Sequence, residues 1–204
     1  NDTVWVPEGN RHTFSCWDMS DKQNPVLLTR VGIPNAGYVH DAQWSPNGQL
    51  LATTEETIGK TIKLWNVQDL GNVSLVSQFL GPNNYAHNAH FKDRLLFVSH
   101  YDAGLLVYDI GTPECPTLIA EYDTHPTSNL SQGNGCWGVY PYTGESGLVY
   151  ASNRDGRLFV FRYDTALVDI HGSPQIGSAP LSVNFSGFAS GEAPTWQWQF
   201  GDGQ

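Results

Sequence analysis

The amino-acid sequence predicts an all-β fold: a partial β-propeller of about four blades, each a four-stranded antiparallel meander, followed by a truncated immunoglobulin-like β-sandwich. Three observations lead to this prediction. Short runs rich in β-branched and aromatic residues alternate with turn formers, which is typical of strands. No stretch shows sustained helical periodicity. An aromatic residue closes one strand of every repeat, about 40 to 55 residues after the previous one, as blades with variable loops require; these residues are Trp17, Trp65, Tyr108 and Phe161.

The clearest repeat spans Tyr85 to Asp123 and contains four predicted strands, which is the content of one propeller blade. Turn sequences separate these strands, and the prolines of GTPECP prevent a helix or a strand ladder from continuing. The predicted strands are His87–Phe91, Leu95–His100, Gly104–Ile110 and Thr117–Tyr122. The rest of the chain is arranged around copies of this unit.

The neighbouring repeats follow the same order. Residues 3–30 supply three strands of a first blade, and residues 40–79 form a second one. The strands of the second blade are His40–Trp44, Leu50–Thr54, Thr61–Asn66 and Ser74–Phe79. The strand that opens a blade recurs as HDAQW at His40, HNAHF at His87 and CWGVY at Cys136. The sequence begins in the middle of a blade, so we expect an open arc of about four blades, with unpaired edges that favour self-association, and not a closed ring.

The predicted propeller fragment covers residues 1–165, and residues 166–179 are interpreted as a linker because Pro, Gly and Ser punctuate them. Residues 180–204 contain the string WQFGDG, in which Trp196, Trp198 and Phe200 alternate and therefore share one strand face. This string resembles the opening of a PKD-type (polycystic kidney disease) immunoglobulin-like domain. A sandwich needs two facing sheets, so we expect these three aromatic residues to bury little surface within the tail.

Composition excludes several functional classes. A net charge of −10 without a basic stripe argues against nucleic-acid binding. No apolar run approaches about 18 residues, so no transmembrane segment is predicted in this chain. The three cysteines, Cys16, Cys115 and Cys136, match no metal-ligand spacing and are predicted to be small buried side chains. No motif indicates a cofactor, and the sequence leaves the oligomeric state open.

Several strings resemble known repeats. WSPNGQLLAT with TIKLWNV resembles a WD repeat, and GLLVYDIGTPECP resembles an LVIVD repeat. In their order, HDAQWSPNGQLLATTEE, AHNAHFKDRLLFVSHYDAGLLVYD and GCWGVYPYTGESGLVYASNRDGRLFVF resemble successive blades of the choice-of-anchor B family. The resemblance implies an extracellular or cell-surface propeller whose members carry interchangeable surface-attachment signals at the C-terminus.

Candidate functional residues lie where blades open and where their second and third strands are joined, because these loops share one face of a propeller, at the mouth of its central channel. We expect a polar ligand-binding rim there, formed by His40, Asp41, Glu55, Glu56, His87, Asn88, His100, Asp102, Trp137, Asn153 and Asp155. His40 and His87 are expected about 10 Å apart, the spacing of packed sheets. That distance predicts no preformed metal centre; if a metal is bound, its ligands come from His40, Glu55, His87 and His100.

The sequence therefore predicts a non-catalytic extracellular or cell-surface propeller that binds a protein or a carbohydrate through its channel face, with the PKD-type module as a spacer. The alternative is a metal-assisted hydrolase that uses a His/Glu cluster at the channel mouth. A WD-repeat-like scaffold is a third interpretation. Fold alone does not choose among them, since propellers serve both as binding proteins and as enzymes.

Overall fold

The computed structural model describes residues 2–82, 85–127, 133–144, 147–163, 168–173 and 183–189. All elements whose bounds it gives are β-strands. The chain divides into two compact units, Asn1–Phe161 and Arg162–Gln204. Among the described residues no helix is both long and apolar enough to cross a membrane.

The first unit contains four sheets, each of which follows the order of the chain. Sheet I consists of β1 (Thr3–Pro7), β2 (Thr13–Asp18) and β3 (Val26–Gly32). Sheet II consists of β4 (Val39–Trp44), β5 (Leu50–Glu55), β6 (Ile62–Asn66) and β7 (Ser74–Phe79). Sheet III consists of β8 (Asn88–Lys92), β9 (Leu95–Ser99), β10 (Leu105–Asp109) and β11 (Thr117–Tyr122). Sheet IV consists of β12 (Cys136–Tyr140), β13 (Leu148–Asn153) and β14 (Leu158–Arg162). The sheets are antiparallel meanders. Sheets II and III have the four strands that the repeats predicted, whereas sheets I and IV have three described strands each.

Consecutive sheets pack face to face, and the core lies between them. Leu64 of sheet II and Leu96 of sheet III belong to one buried cluster. Phe14 of sheet I and Trp65 of sheet II belong to another, with ring centroids 5.0 Å apart. Because neighbours cover both faces of the middle sheets, the second strand of sheet III, β9, is buried at every residue. Its sequence LLFVS is accordingly a nearly continuous apolar run and does not alternate.

The outer strands β3, β7 and β11 form the exposed edges of their sheets. All six residues of β11 are exposed, including Leu118 and Ile119. Val26, Leu27 and Leu28 of β3 are exposed as well. In the two four-stranded sheets the second and third strands are therefore the most buried, the first strand is partly buried and the outer strand is the most exposed.

Side-chain hydrogen bonds also join the second strand of one sheet to the start of the first strand of the next sheet. The hydroxyl of Thr54, in sheet II, donates to the carbonyl oxygen of His87, next to sheet III. Ser99 of sheet III repeats this contact one sheet further on, because its hydroxyl donates to the carbonyl oxygen of Trp137 at 3.0 Å. These bonds tie together the ends of the strands from which the functional side chains project.

The second unit contains a described pair of antiparallel strands, β15 (Val168–Ser173) and β16 (Asn184–Ala189). The strand β15 lies inside the predicted linker, residues 166–179. The string Val-Asp-Ile-His alternates apolar and polar residues with a period of two, which is typical of a strand. The alternation is short, and the surrounding Gly, Pro and Ser residues favoured the prediction of a linker. Trp196, Trp198 and Phe200 lie outside the described residues.

The cysteine prediction holds for two residues and is wrong for the third. Cys16 and Cys136 are buried free thiols, whereas Cys115 is exposed. Cys115 lies in the turn between β10 and β11, and the exposed edge strand that follows offers no core to bury it.

Candidate functional site

A one-residue irregularity lies at the start of the innermost strand of sheet II. Val39 pairs with Glu55 and Asp41 pairs with Thr54, so His40 lies between two consecutive pairs as a β-bulge. A bulge turns its side chain away from the ordinary alternation of the strand. The side chain of His40 is therefore turned out of the alternating pattern at the point where the strand meets the preceding loop.

Sheet IV has the same irregularity at the same place. Cys136 pairs with Asn153 and Gly138 pairs with Ser152, which leaves Trp137 at the bulge. The residue of sheet IV that corresponds to His40 is therefore Trp137. The comparison of the repeats had matched His40 with Cys136, one position earlier.

Sheet III completes the series with His87. Its backbone N–H donates to the carbonyl oxygen of Ser99 at 3.0 Å, and the next residue, Asn88, is paired with the same Ser99. Two residues of the inner strand thus face one residue of its neighbour. His40, His87 and Trp137 consequently hold the same position in three successive sheets.

The three rings form one continuous row, in which His40 and His87 are stacked and Trp137 is tilted by 46° against His87. The centroids of His40 and His87 are 4.2 Å apart with an interplanar angle of 24°. The centroids of His87 and Trp137 are 4.5 Å apart. The expected separation of about 10 Å between His40 and His87 is therefore wrong, because the spacing of packed sheets does not apply where bulges turn the rings of converging inner strands toward one another.

A second row of side chains follows the second strands of sheets II, III and IV. Glu56 follows β5, Tyr101 follows β9 and Arg154 follows β13. One carboxylate oxygen of Glu56, Oε2, is 3.3 Å from Nδ1 of His40, and the other accepts a hydrogen bond from the Tyr101 hydroxyl. The Arg154 guanidinium lies 5.3 Å from the centroid of the Trp137 ring. We refer to His40, Glu56, His87, Tyr101 and Trp137 as the rim cluster.

His87 is the buried centre of the rim cluster. Its side chain lies between His40 and Trp137, and the residue is only 2% exposed. Nδ1 is 2.5 Å from the carbonyl oxygen of Trp137, and since that oxygen can only accept, Nδ1 carries the proton. Burial lowers the pKa of His87, so the ring is neutral near pH 7. Nε2 then holds the lone pair, and this buried atom has no hydrogen-bond partner.

Tyr101 belongs to the rim cluster but was not predicted from the sequence. Its backbone has a φ of 45°, which is unusual for a bulky residue, and two backbone hydrogen bonds to Cys136 hold it there. Burial, followed by the hydrogen bond to Glu56, raises the pKa of its hydroxyl, so the hydroxyl stays protonated and donates. The signal that could have identified Tyr101 is its repeat position, which is that of Glu56 in the preceding sheet.

The rim cluster opens to solvent on one side. Trp137 is 44% exposed, and Tyr38, whose ring centroid is 6.2 Å from that of His40, is 43% exposed. The side chains of His40 and Glu56 are 27% and 24% exposed. An arriving ligand would therefore meet two aromatic surfaces, an imidazole and a carboxylate, all supported by buried neighbours.

Two acidic residues predicted for the rim have structural roles instead. The Glu55 carboxylate is buried, forms an ion pair with Lys63 and accepts from the backbone N–H of Gly37 at 2.5 Å. The carboxylate of Asp41 is buried and accepts from the backbone N–H of Ala89 at 2.8 Å, which links sheets II and III.

His100 and Asp102 are also buried away from a ligand. Burial lowers the pKa of His100 to about 4, and its ring leaves no room for a side chain at Gly81. Asp102 accepts from the backbone N–H groups of Gly133 and Asn134, at 3.0 and 3.2 Å. Of the four metal ligands considered from the sequence, only His40 and His87 come together; the carboxylate beside them is Glu56.

The remaining predicted residues lie outside the rim cluster or add little to it. Asn153 is buried and donates to the carbonyl oxygen of Thr124 at 2.9 Å. Asp155 is bound by Arg157, which lowers its pKa to about 2. Asn88 is half-buried beside Ser99. Cys136 is buried, which raises the pKa of its thiol to about 12 and leaves no reactive thiolate near pH 7.

No family model and no curated protein matches the chain. Solved structures do match. A protein from Lactobacillus plantarum shares 16% identity at a TM-score of 0.60 over 79% of this chain, and the chain spans 53% of that protein, about half its length. The computationally designed Ika4 protein shares 17% identity at a TM-score of 0.55, with 79% of this chain and 86% of its own length covered. Saccharomyces cerevisiae Sqt1 shares 13% identity at a TM-score of 0.58, with 79% of this chain and 41% of its own length covered.

Identities this low show the fold alone. The neighbours include propeller-like WD40 proteins, so the all-β, propeller-like fold predicted from the sequence is confirmed. The number of blades, the closure of the ring, the immunoglobulin-like tail and the choice-of-anchor B resemblance stay predictions.

Proposed function

We propose that this chain is a non-catalytic binding module that takes a protein partner on the rim cluster and the adjoining Tyr38. The observation that carries the proposal is the exposure of Trp137 and Tyr38, at 44% and 43%, on a stack of rings whose other members are buried or half-buried. Tyr and Trp are the residues that most often dominate binding energy at protein interfaces, because they supply large contact areas at little entropic cost.

Rigidity supports this role. The His87 ring is fixed by the hydrogen bond from Nδ1 to the carbonyl oxygen of Trp137 and by contact with the rings of His40 and Trp137 on its two sides. The Glu56 carboxylate is fixed by the hydrogen bond from the Tyr101 hydroxyl. A surface already held in one conformation loses little entropy on binding, which favours affinity. The half-buried carboxylate of Glu56 and imidazole of His40 add hydrogen-bonding groups at the margin of the aromatic surface.

We further propose that the module acts outside the cell or at its surface, as the choice-of-anchor B resemblance of residues 3–165 implies. Residues 180–204 then begin a PKD-type spacer that holds the propeller away from its anchor. Both proposals derive from sequence strings, and detecting the protein on intact cells with an antibody, before and after permeabilisation, tests the location.

The binding proposal is tested by selecting peptides from a display library on the immobilised chain. We expect peptides whose affinity falls about tenfold or more with Trp137→Ala or Tyr38→Ala. Tyr150→Ala is the matched control, because Tyr150 is a partly exposed tyrosine of β13 outside the rim cluster. Equal losses with the control, or none with the rim variants, would contradict the proposal. A glycan array in parallel identifies the other ligand class: rim-dependent glycan binding without peptide binding would make the partner a carbohydrate.

A further inference from the structure

One buried nitrogen of the rim cluster lacks a partner. Nε2 of His87 carries the ring's lone pair, is shielded from solvent and accepts no hydrogen bond. An unsatisfied buried acceptor lowers the stability of the folded state by about 1–3 kcal/mol. A buried acceptor of this kind therefore needs an explanation, such as a bound group that occupies the atom. Besides accepting a hydrogen bond, the lone pair of a neutral imidazole nitrogen can coordinate a metal ion.

Two further donor groups lie close to the His87 ring. His40, Glu56 and His87 each offer one ligand atom, and these atoms all lie within 4.8 Å of one another. The His40 and Glu56 atoms are already in contact, since Nδ1 and Oε2 are 3.3 Å apart. Ligand atoms of a tetrahedral zinc ion lie about 3.4 Å apart, given bonds of about 2.1 Å. The three donor atoms therefore need to approach one another by at most about 1.4 Å to share one ion.

We propose that His40, Glu56 and His87 form a binding site for a divalent transition-metal ion, with Zn²⁺ as the ion that fits best. Imidazole and carboxylate ligands suit zinc and its neighbours in the transition series, whereas Ca²⁺ and Mg²⁺ require more oxygen atoms than this site contains. One carboxylate balances half of the ion's charge.

The surroundings of the three ligands are those that a metal site requires. His87 donates its other ring N–H to a backbone carbonyl, which fixes the tautomer with Nε2 free. The second oxygen of Glu56 is held by the Tyr101 hydroxyl, which leaves Oε2 directed at His40. His40 is the more exposed of the two imidazoles, so the small adjustment that brings the three donor atoms onto one ion falls on the His40 ring.

Three protein ligands leave a fourth position of a tetrahedral ion vacant, and the exposed sides of His40 and Glu56 make that position face solvent. A water molecule or a carboxylate of a partner fills it. The proposal does not depend on the protein-binding role, because the ligands are all in this chain and the ion is measured without any partner.

The test uses the full chain, stripped of metal with a chelator and titrated with ZnCl₂ in a calorimeter. We expect one ion per chain with a Kd below about 10 µM, weakened about tenfold or more by His40→Ala, Glu56→Gln or His87→Ala. His125→Ala is the matched control, because His125 has its own carboxylate, with Nδ1 3.7 Å from Asp155 Oδ2, outside the rim cluster. It should leave zinc binding unchanged.

Thermal unfolding with and without zinc provides a second readout. Zinc should raise the Tm of the wild type and of His125→Ala but not that of Glu56→Gln, and the half-exposed Glu56 is a position whose substitution leaves the core intact. A Kd weaker than about 10 µM, binding of less than one ion per chain, or binding and Tm shifts that the rim variants leave unchanged would overturn the proposal. If His87→Ala does not fold, His40→Ala and Glu56→Gln decide the outcome.

Discussion

The imidazole rings of His40 and His87 stack with their centroids 4.2 Å apart, although the two residues belong to different sheets. The stack exists because each ring occupies the position where the innermost strand begins and where one extra residue is accommodated. Trp137 extends the same stack from a third sheet. Repeat symmetry thus converts three distant stretches of sequence into one surface.

The burial of His87 predicts a clear difference between the two histidines of this stack. We expect His87→Ala to lower the free energy of unfolding by about 2–3 kcal/mol, because it leaves a cavity beneath Trp137 and removes a buried hydrogen bond. His40→Ala, at a half-exposed site, should cost less than about 1 kcal/mol. Urea denaturation measures both; equal losses would show that His87 is not the buried centre of the stack.

The ion pair of Glu55 and Lys63 is almost fully buried, with side chains 0% and 7% exposed. Lys63→Met should destabilise the protein by about 3–5 kcal/mol, because it leaves a buried carboxylate without its cation. The double variant Glu55→Gln with Lys63→Met should recover much of this loss, since no charge stays buried. Guanidinium denaturation of both variants measures their free energies of unfolding. A double variant that is no more stable than Lys63→Met would contradict the prediction.

His100 predicts a loss of stability in mildly acidic solution. Burial lowers its pKa to about 4, below the about 6.5 of an unfolded chain. Between these values the unfolded state binds a proton that the folded state does not, so stability decreases as the pH falls from about 6.5 to 4, by up to about 3 kcal/mol. Above pH 6.5 the residue contributes no pH dependence.

His100→Leu isolates this effect from that of His87 and His90, whose pKa values burial also lowers. The variant should show a shallower decrease in the free energy of unfolding across the same pH range. An unchanged slope would mean that His100 is accessible to protons in the folded state.

The exposure of the cysteines predicts selective chemistry. Cys115 is exposed, whereas burial raises the pKa values of Cys16 and Cys136 and shields their thiols. Iodoacetamide at pH 8 should therefore alkylate Cys115 within minutes and the other two only after unfolding. Mass spectrometry of the digested protein gives the extent at each site, and Cys115→Ser is the control that should abolish fast labelling. Rapid alkylation of Cys136 would contradict the packing of sheets III and IV.

Strand positions were predictable because turn formers delimit them. The predicted strands Ser74–Phe79 and Thr117–Tyr122 coincide with β7 and β11. Inner strands agree within a residue: His40–Trp44 was predicted, and β4 is Val39–Trp44. Alternation, turn residues and repeat spacing are local properties of a sequence, and they determine these elements.

The site was only partly predictable because it depends on pairing between strands. The position of a bulge depends on which residues pair across a sheet. The string VHDAQW does not indicate that His40 will have no partner residue in the pairing of β4 with β5. Adjacent residues Glu55 and Glu56 are chemically alike, yet one faces Lys63 in the core and the other faces His40 at the surface. The sequence shows that they point in opposite directions but not which of them points inward.

Backbone hydrogen exchange of the chain with and without a selected peptide is the most direct test of the claim that the rim cluster binds partners. We predict slower exchange, in the complex, at the start of β4 and β8, around Tyr101 and at the start of β12, with Tyr38 included. The exposed apolar edges β3 and β11, which contain Leu28 and Ile119, should be unaffected. Protection confined to these edge strands, with exchange around His40, His87 and Trp137 unchanged, would contradict the account.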